Sequence, residues 1–125
     1  MNKKVLIIDN DRDLTAVLRS SLEFIDCEVI TAENVAEASR ILRDQPPDIV
    51  IAEILFPHLN VLDLVYQLSD IGVPMIITGI KSLDCEERKR VFCNQVPFFQ
   101  KPILPNILVE KVQQLLNEKH ISHSN

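Results

Sequence analysis

The chain has 125 residues, enough for one domain with a substantial buried core. Hydrophobic residues make up 46% and charged residues 25%, a folded globular composition rather than a disordered one. The net charge of −5, without a long basic run, argues against direct nucleic-acid binding, and no apolar run is long enough to cross a membrane. The opening MNKKVLIIDND turns acidic too early for a secretory signal, so a cytoplasmic location is expected.

Val5–Ile8 is an unbroken apolar run ended by Asp9, Asn10 and Asp11. Such a run suits a strand buried on both faces, as in a parallel sheet. A helix follows, with Leu14, Val17, Leu18, Leu22 and Ile25 on one face and Asn10 or Asp11 as its cap. Glu28–Ala32 is a second strand. Asn34 and Glu37 form a capping pair for a helix whose apolar stripe is Val35, Ala38, Ile41 and Leu42, and Pro46-Pro47 stops it. Ile49–Ala52 is the third strand and delivers Glu53 to its carboxyl end. Asn60 caps the next helix, with Val61, Leu64, Val65 and Leu68 inward and Gly72 closing it. Pro74–Thr78 is the fourth strand. Asp84–Cys93 reads as a short polar helix supported by Asp84–Arg88 and Glu86–Arg90 pairs. Pro97–Gln100 is the fifth strand, ended by Lys101-Pro102. Pro105 opens a last helix with Leu108, Val112, Leu115 and Leu116 inward. The domain is expected over 1–119, with 120–125 as a tail.

Five alternating strands and helices imply a parallel sheet with helices on both faces and right-handed crossovers. Ligand chemistry in such doubly wound folds collects beyond the carboxyl ends of the strands. Those ends carry Asp9, Asn10 and Asp11, then Glu53, Thr78 and Lys101. Carboxylates, a hydroxyl and an ammonium in one crevice suit a hard cation and a phosphoryl group.

With these residues in place, the chain resembles the receiver domain of two-component response regulators over about Lys4 to Glu118. VLIIDND, IVIAEILFP, PMIITG and FFQKP lie in the family's order on the matching elements. The resemblance implies a (βα)₅, flavodoxin-like (CheY-like) fold and a protein-interaction module in a phosphorelay. In that family an acidic pair after the first strand holds Mg²⁺, an aspartate ending the third strand accepts the phosphoryl group, and a strand-four hydroxyl and strand-five lysine contact it. Asp9 matches the first acid, Thr78 the hydroxyl, Lys101 the lysine and Phe98 the switch aromatic. Pro102 matches a proline whose preceding peptide bond is commonly cis. Asn10 stands where the second acid, normally a direct Mg²⁺ ligand, should be. Glu53 stands at the phosphoacceptor position, and His58 and Val61 replace glycines of the following loop.

Glutamate is one methylene longer than aspartate, which moves its oxygens by roughly 1.5 Å. A misplacement near 1 Å can cost on the order of 100-fold in rate. Asn10 removes a charge from the cation site, and an amide oxygen is a weaker Mg²⁺ ligand than a carboxylate. The expectation is a receiver-like module working without phosphorylation, with Mg²⁺ at Asp9 and Glu53 weak or absent and no enzymatic role. The longer arm of Glu53 is expected to reach Lys101 or Thr78 directly. That contact would imitate an activated state only in part, since a phosphoryl group carries about −1.5 to −2 charge.

The alternative within the same fold is a working receiver, phosphorylated by a histidine kinase with Mg²⁺ despite Glu53 and Asn10. A flavodoxin-like enzyme or nucleotide-binding protein would need a Gly- or Ser/Thr-rich phosphate loop after the first strand. Here acids stand at that point, and the chain has only Gly72 and Gly79. Partners implied by the resemblance are a histidine kinase or an effector protein, with a homodimer through the fourth helix, fifth strand and fifth helix. His58 reads as a solvated loop residue. His120 and His123 are not expected to bind metal. Cys27, Cys85 and Cys93 read as reduced thiols, Cys85 and Cys93 being too far apart on one helix to pair.

Overall fold

A computed structural model describes the backbone of residues 2–123 and the side chains of residues 2–118. The elements in chain order are β1 (Lys3–Ile8), α1 (Arg12–Phe24), β2 (Cys27–Ala32), α2 (Val35–Asp44), β3 (Ile49–Glu53), α3 (Val61–Asp70), β4 (Met75–Gly79), α4 (Cys85–Cys93), β5 (Phe98–Gln100) and α5 (Pro105–His123). The strands form one five-stranded sheet in the order β2-β1-β3-β4-β5, and every neighbouring pair is parallel. This is the expected (βα)₅, CheY-like flavodoxin fold. Residues 124 and 125 of the expected tail lie outside those described, as do the side chains of His120 and His123; the backbone of 120–123 belongs to α5.

Successive side chains on a strand point to opposite faces, so the apolar runs divide into two cores. Leu6, Ile8, Val50, Ala52, Met75 and Ile77 pack against α2, α3 and α4 through residues such as Ala38, Ile41, Leu64 and Val91. Val5, Ile7, Ile49, Ile51 and Ile76 pack against α1 and α5 through Leu18, Leu22, Leu108 and Val112. Burial on both faces explains why the central strands read as unbroken apolar runs rather than alternating ones.

The helix ends follow local chemistry. Asp11, Asn34, Asn60 and Asp84 each accept a backbone N–H from the first turn they cap. Gly72 takes φ 73° just past α3, and Asp26 and Gln95 adopt similar left-handed conformations past α1 and α4. His58 also lies in this region, at φ 63°. It therefore holds a conformation that a glycine would adopt without steric cost.

Two packing expectations are corrected. Val17 is half exposed, because α1 turns it away from the sheet. On α4, Asp84 does not pair with Arg88 and Glu86 does not pair with Arg90. Asp84 and Glu87 instead form a reciprocal capping box, Arg88 donates to the Leu83 carbonyl, and Glu86 faces Lys89 at 3.9 Å. A capping residue satisfies otherwise orphaned backbone donors, which outweighs an exposed ion pair of at most about 0.5 kcal/mol.

Leu108 is fully buried on the inner face of α5, so Leu108→Ala should destabilise the domain by about 2–5 kcal/mol in urea unfolding without changing the far-ultraviolet spectrum of the folded state. Cys27 is buried and its thiol pKa is pushed up by burial first, then by the charges of Asp26 and Asp48; Cys85 and Cys93 are exposed. A thiol reagent should therefore modify Cys85 and Cys93 rapidly in the native protein and reach Cys27 only on unfolding, as read by intact mass.

Candidate functional site

The pleat that divides the core also sorts the residues at the carboxyl ends of the strands. Continuing the α1/α5 side past Ile7, Ile51, Ile76 and Phe99 leads to Asp9, Glu53, Thr78 and Lys101. Glu53 and Thr78 sit opposite one another on β3 and β4. The other side leads past Ala52, Ile77 and Phe98 to Ile54 and Gly79. One parity thus supplies the polar crevice, and the other an apolar contact behind it.

Across the crevice runs an ion pair. Lys101 Nζ lies 3.0 Å from Asp9 Oδ2 and donates to Asp9 Oδ1 at 3.1 Å. The side chains of Asp9 and Lys101 are only 3% and 12% exposed. Asp11 Oδ2 stands 3.8 Å from the same ammonium. Asp9 Oδ1 also accepts the backbone N–H of Asp11 at 2.9 Å, while Asp11 caps α1 through Leu14. β1 and β5 are not neighbours, because β3 and β4 lie between them. Three inter-strand steps separate their axes by roughly 14 Å. A contact between Asp9 and Lys101 must therefore pass over the ends of β3 and β4, where Glu53 and Thr78 lie.

Lys101 is within ion-pair distance of Asp9 and Asp11, and the expected Glu53–Lys101 pair is not formed. Glu53, 8% exposed, instead turns its Oε2 onto the backbone N–H of Leu55 at 2.6 Å. The extra methylene lets the carboxylate fold back onto its own loop, a short side-chain-to-backbone closure that sequence reading did not anticipate. Ile54 N–H donates to the Thr78 carbonyl at 2.8 Å and Phe56 N–H to the Glu53 carbonyl at 3.0 Å, so the loop carrying this closure is itself held. Thr78 is fully buried and its hydroxyl oxygen has no hydrogen-bond partner. Neither of the contacts expected of Glu53, to Lys101 or to Thr78, is made.

A hard divalent cation needs several oxygen donors converging on one point. Asp9 is committed to an ammonium and a backbone N–H, Asn10 is an exposed amide, and Glu53 faces Leu55. Among the described residues no three His, Cys, Asp or Glu side chains are grouped to hold a metal, so this arrangement does not fit the Mg²⁺ of the resemblance. His58 is exposed on the following loop.

Behind the crevice, the Lys101–Pro102 peptide bond is cis, and Lys101 N–H donates to the Gly79 carbonyl at 2.7 Å. Phe98 is half-buried against the α2–α4 core. It also lines a groove of about 490 Å³ between α4 and β5, together with Leu83, Arg88, Val91, Phe92 and Val96. Gly79 was not singled out from sequence as part of the site. Its position directly after Thr78, as one of only two glycines, was the available signal.

Comparison with known proteins agrees with this architecture. The chain is 23% identical to the alkaline phosphatase synthesis transcriptional regulatory protein PhoP of Bacillus subtilis over 124 residues, 98% of this chain and 52% of that protein. It is 27% identical to response regulator GtcR of Aneurinibacillus migulanus over 117 residues, covering 93% of this chain and 48% of that one. The chain thus spans about half the length of these curated relatives. Among solved structures, a CheY-like response regulator receiver domain protein from Methanospirillum hungatei JF-1 superposes with a TM-score of 0.84 at 21% identity, covering 98% of this chain and 99% of that one. No helix among the described residues is long and apolar enough to cross a membrane. The model of the response regulator receiver domain family matches residues 5–113, and the chain belongs to that family.

Proposed function

We propose that this receiver domain acts as a protein-interaction module of a two-component pathway without being phosphorylated, and that it is not an enzyme. The observation that carries this reading is the buried Lys101–Asp9 pair, which spans the crevice while Glu53 is engaged by Leu55 N–H. Phosphoryl transfer depends on an in-line oxygen nucleophile and on positive charge placed around the transferring group. Here the lysine charge is neutralised by Asp9, the carboxylate at the acceptor position is hydrogen-bonded and set at the wrong length, and Asn10 contributes no charge. In this reading Lys101 is an internal cation that holds the crevice in one shape, and Glu53, Thr78 and Asp9 are structural.

Signalling would then run through a surface rather than through the crevice. On the α4–β5–α5 side the exposed Phe92 lines the groove at Phe98, and Leu104 and Ile107 are exposed around the start of α5. We infer that an effector, a kinase or a second copy of the chain docks there. The acidic balance of the chain supports a protein partner over nucleic acid.

Incubation with acetyl phosphate and Mg²⁺ should leave the intact mass unchanged, whereas Asn10→Asp combined with Glu53→Asp should gain one phosphoryl group. Labelling of the unaltered chain, lost on Glu53→Gln, would support the working receiver instead. The same ion pair also sets a stability test. Lys101→Met should destabilise the fold by about 3 kcal/mol in urea, because it leaves the Asp9 charge buried without its partner. Asp9→Asn together with Lys101→Met should recover much of that loss.

A further inference from the structure

Gly79 has a near-ordinary backbone but no space around it. A Cβ built there would stand 3.0 Å from Ile54 Cγ2 and 3.1 and 3.2 Å from Phe98 Cε1 and Cζ. The missing side chain is therefore the seat that the Phe98 ring and the Ile54 methyl share. Ile54 directly follows Glu53, and its N–H is tied to the Thr78 carbonyl. Phe98 pairs with Ile77 in the sheet register, and its ring borders the α4–β5 groove. The space left by Gly79 thus lies between a residue of the crevice loop and one bordering the proposed partner surface.

We propose that Gly79 is a positioning residue: the space it leaves holds the Phe98 ring inward, so residue 79, and not an event at Glu53, sets the shape of the α4–β5 groove. The inference rests on the reading that this surface works without phosphorylation. Of the two neighbours, the ring is the one able to move. Both are half-buried against the α2–α4 core, but Ile54 meets the space with Cγ2, a methyl fixed on a branched Cβ of restricted χ1, whereas Phe98 meets it with Cε1 and Cζ, the far end of a ring that borders the groove. Contacts of 3.0–3.2 Å are too close for a methyl carbon, since carbon atoms separate best at about 3.5–4.0 Å. A methyl group on residue 79 therefore displaces the ring by a few tenths of an ångström toward the groove lined by Leu83, Val91 and Val96.

The test is nuclear magnetic resonance on the full chain, with Phe98 and the Ile54 methyl assigned. Gly79→Ala should weaken the cross-peaks between the Phe98 ring and the Ile54 γ2-methyl and shift the amides of Leu83, Val91, Val96 and Gln100. Phe98→Leu should shift the same amides, and adding Gly79→Ala to it should move them little further. A purely structural role for Gly79 would lower the unfolding midpoint without this pattern. Should Gly79→Ala fold poorly alone, its destabilisation must shrink when Phe98→Leu is present. The proposal is overturned if Gly79→Ala leaves the ring cross-peaks and groove amides as they were. It is equally overturned if the changes vanish, or folding is regained, on adding Ile54→Ala but not Phe98→Leu. Phosphoryl labelling of Glu53 in the unaltered chain would remove the phosphorylation-independent reading while leaving the ring measurement intact. A groove unmoved by Gly79→Ala would remove this inference alone.

Discussion

A parallel strand covered by helices on both sides must send an apolar side chain each way at every step, and this constraint organises the whole molecule. It divides the core into an α1/α5 half and an α2–α4 half. Where the strands run out, the same alternation continues into chemistry. Asp9, Glu53, Thr78 and Lys101 follow one parity, and Ile54, Gly79 and Phe98 follow the other. A shift of one residue in the pairing of β3 would exchange Glu53 and Ile54 between the two sets, which is why register matters as much to the site as to stability.

Within the crevice the decisive balance is electrostatic. Burying an ammonium or a carboxylate alone is costly, so each must find a partner. Three acids stand at the crevice with Lys101: Asp9 and Asp11 just past β1, and Glu53 at the end of β3. Lys101 took Asp9, whose carboxylate was already oriented by the Asp11 N–H, and it drew Asp11 into the same network. Glu53 was then satisfied locally by the Leu55 N–H. Thr78 is buried and its hydroxyl has no hydrogen-bond partner. Polar groups that could converge on a ligand are mostly spent on one another.

The contact behind the crevice obeys a different rule, that of close packing. A dense interior leaves almost no unfilled space the size of a methyl group, so an absent side chain is occupied by its neighbours. At Gly79 those neighbours are the residue following Glu53 and the aromatic that borders the α4–β5 groove. The two halves of the strand-end chemistry are thereby mechanically adjacent even though they face opposite sides of the sheet.

The linear pattern was sufficient for the order of elements, the helix caps at Asn34 and Asn60, the parallel sheet, and the gathering of Asp9, Glu53, Thr78 and Lys101 at one end. Those features depend on local periodicity and capping chemistry, which a single stretch of chain contains. Membership in the receiver family was likewise visible from the motifs at the strand ends. The partner of Lys101, the fold-back of Glu53, the capping box on α4 in place of two ion pairs, and the filled space at Gly79 were decided by the tertiary structure. Each is a choice among several chemically acceptable neighbours. Choices of that kind turn on distances between residues as remote in sequence as Asp9 and Lys101, and only the packed sheet brings such residues within a few ångströms of one another.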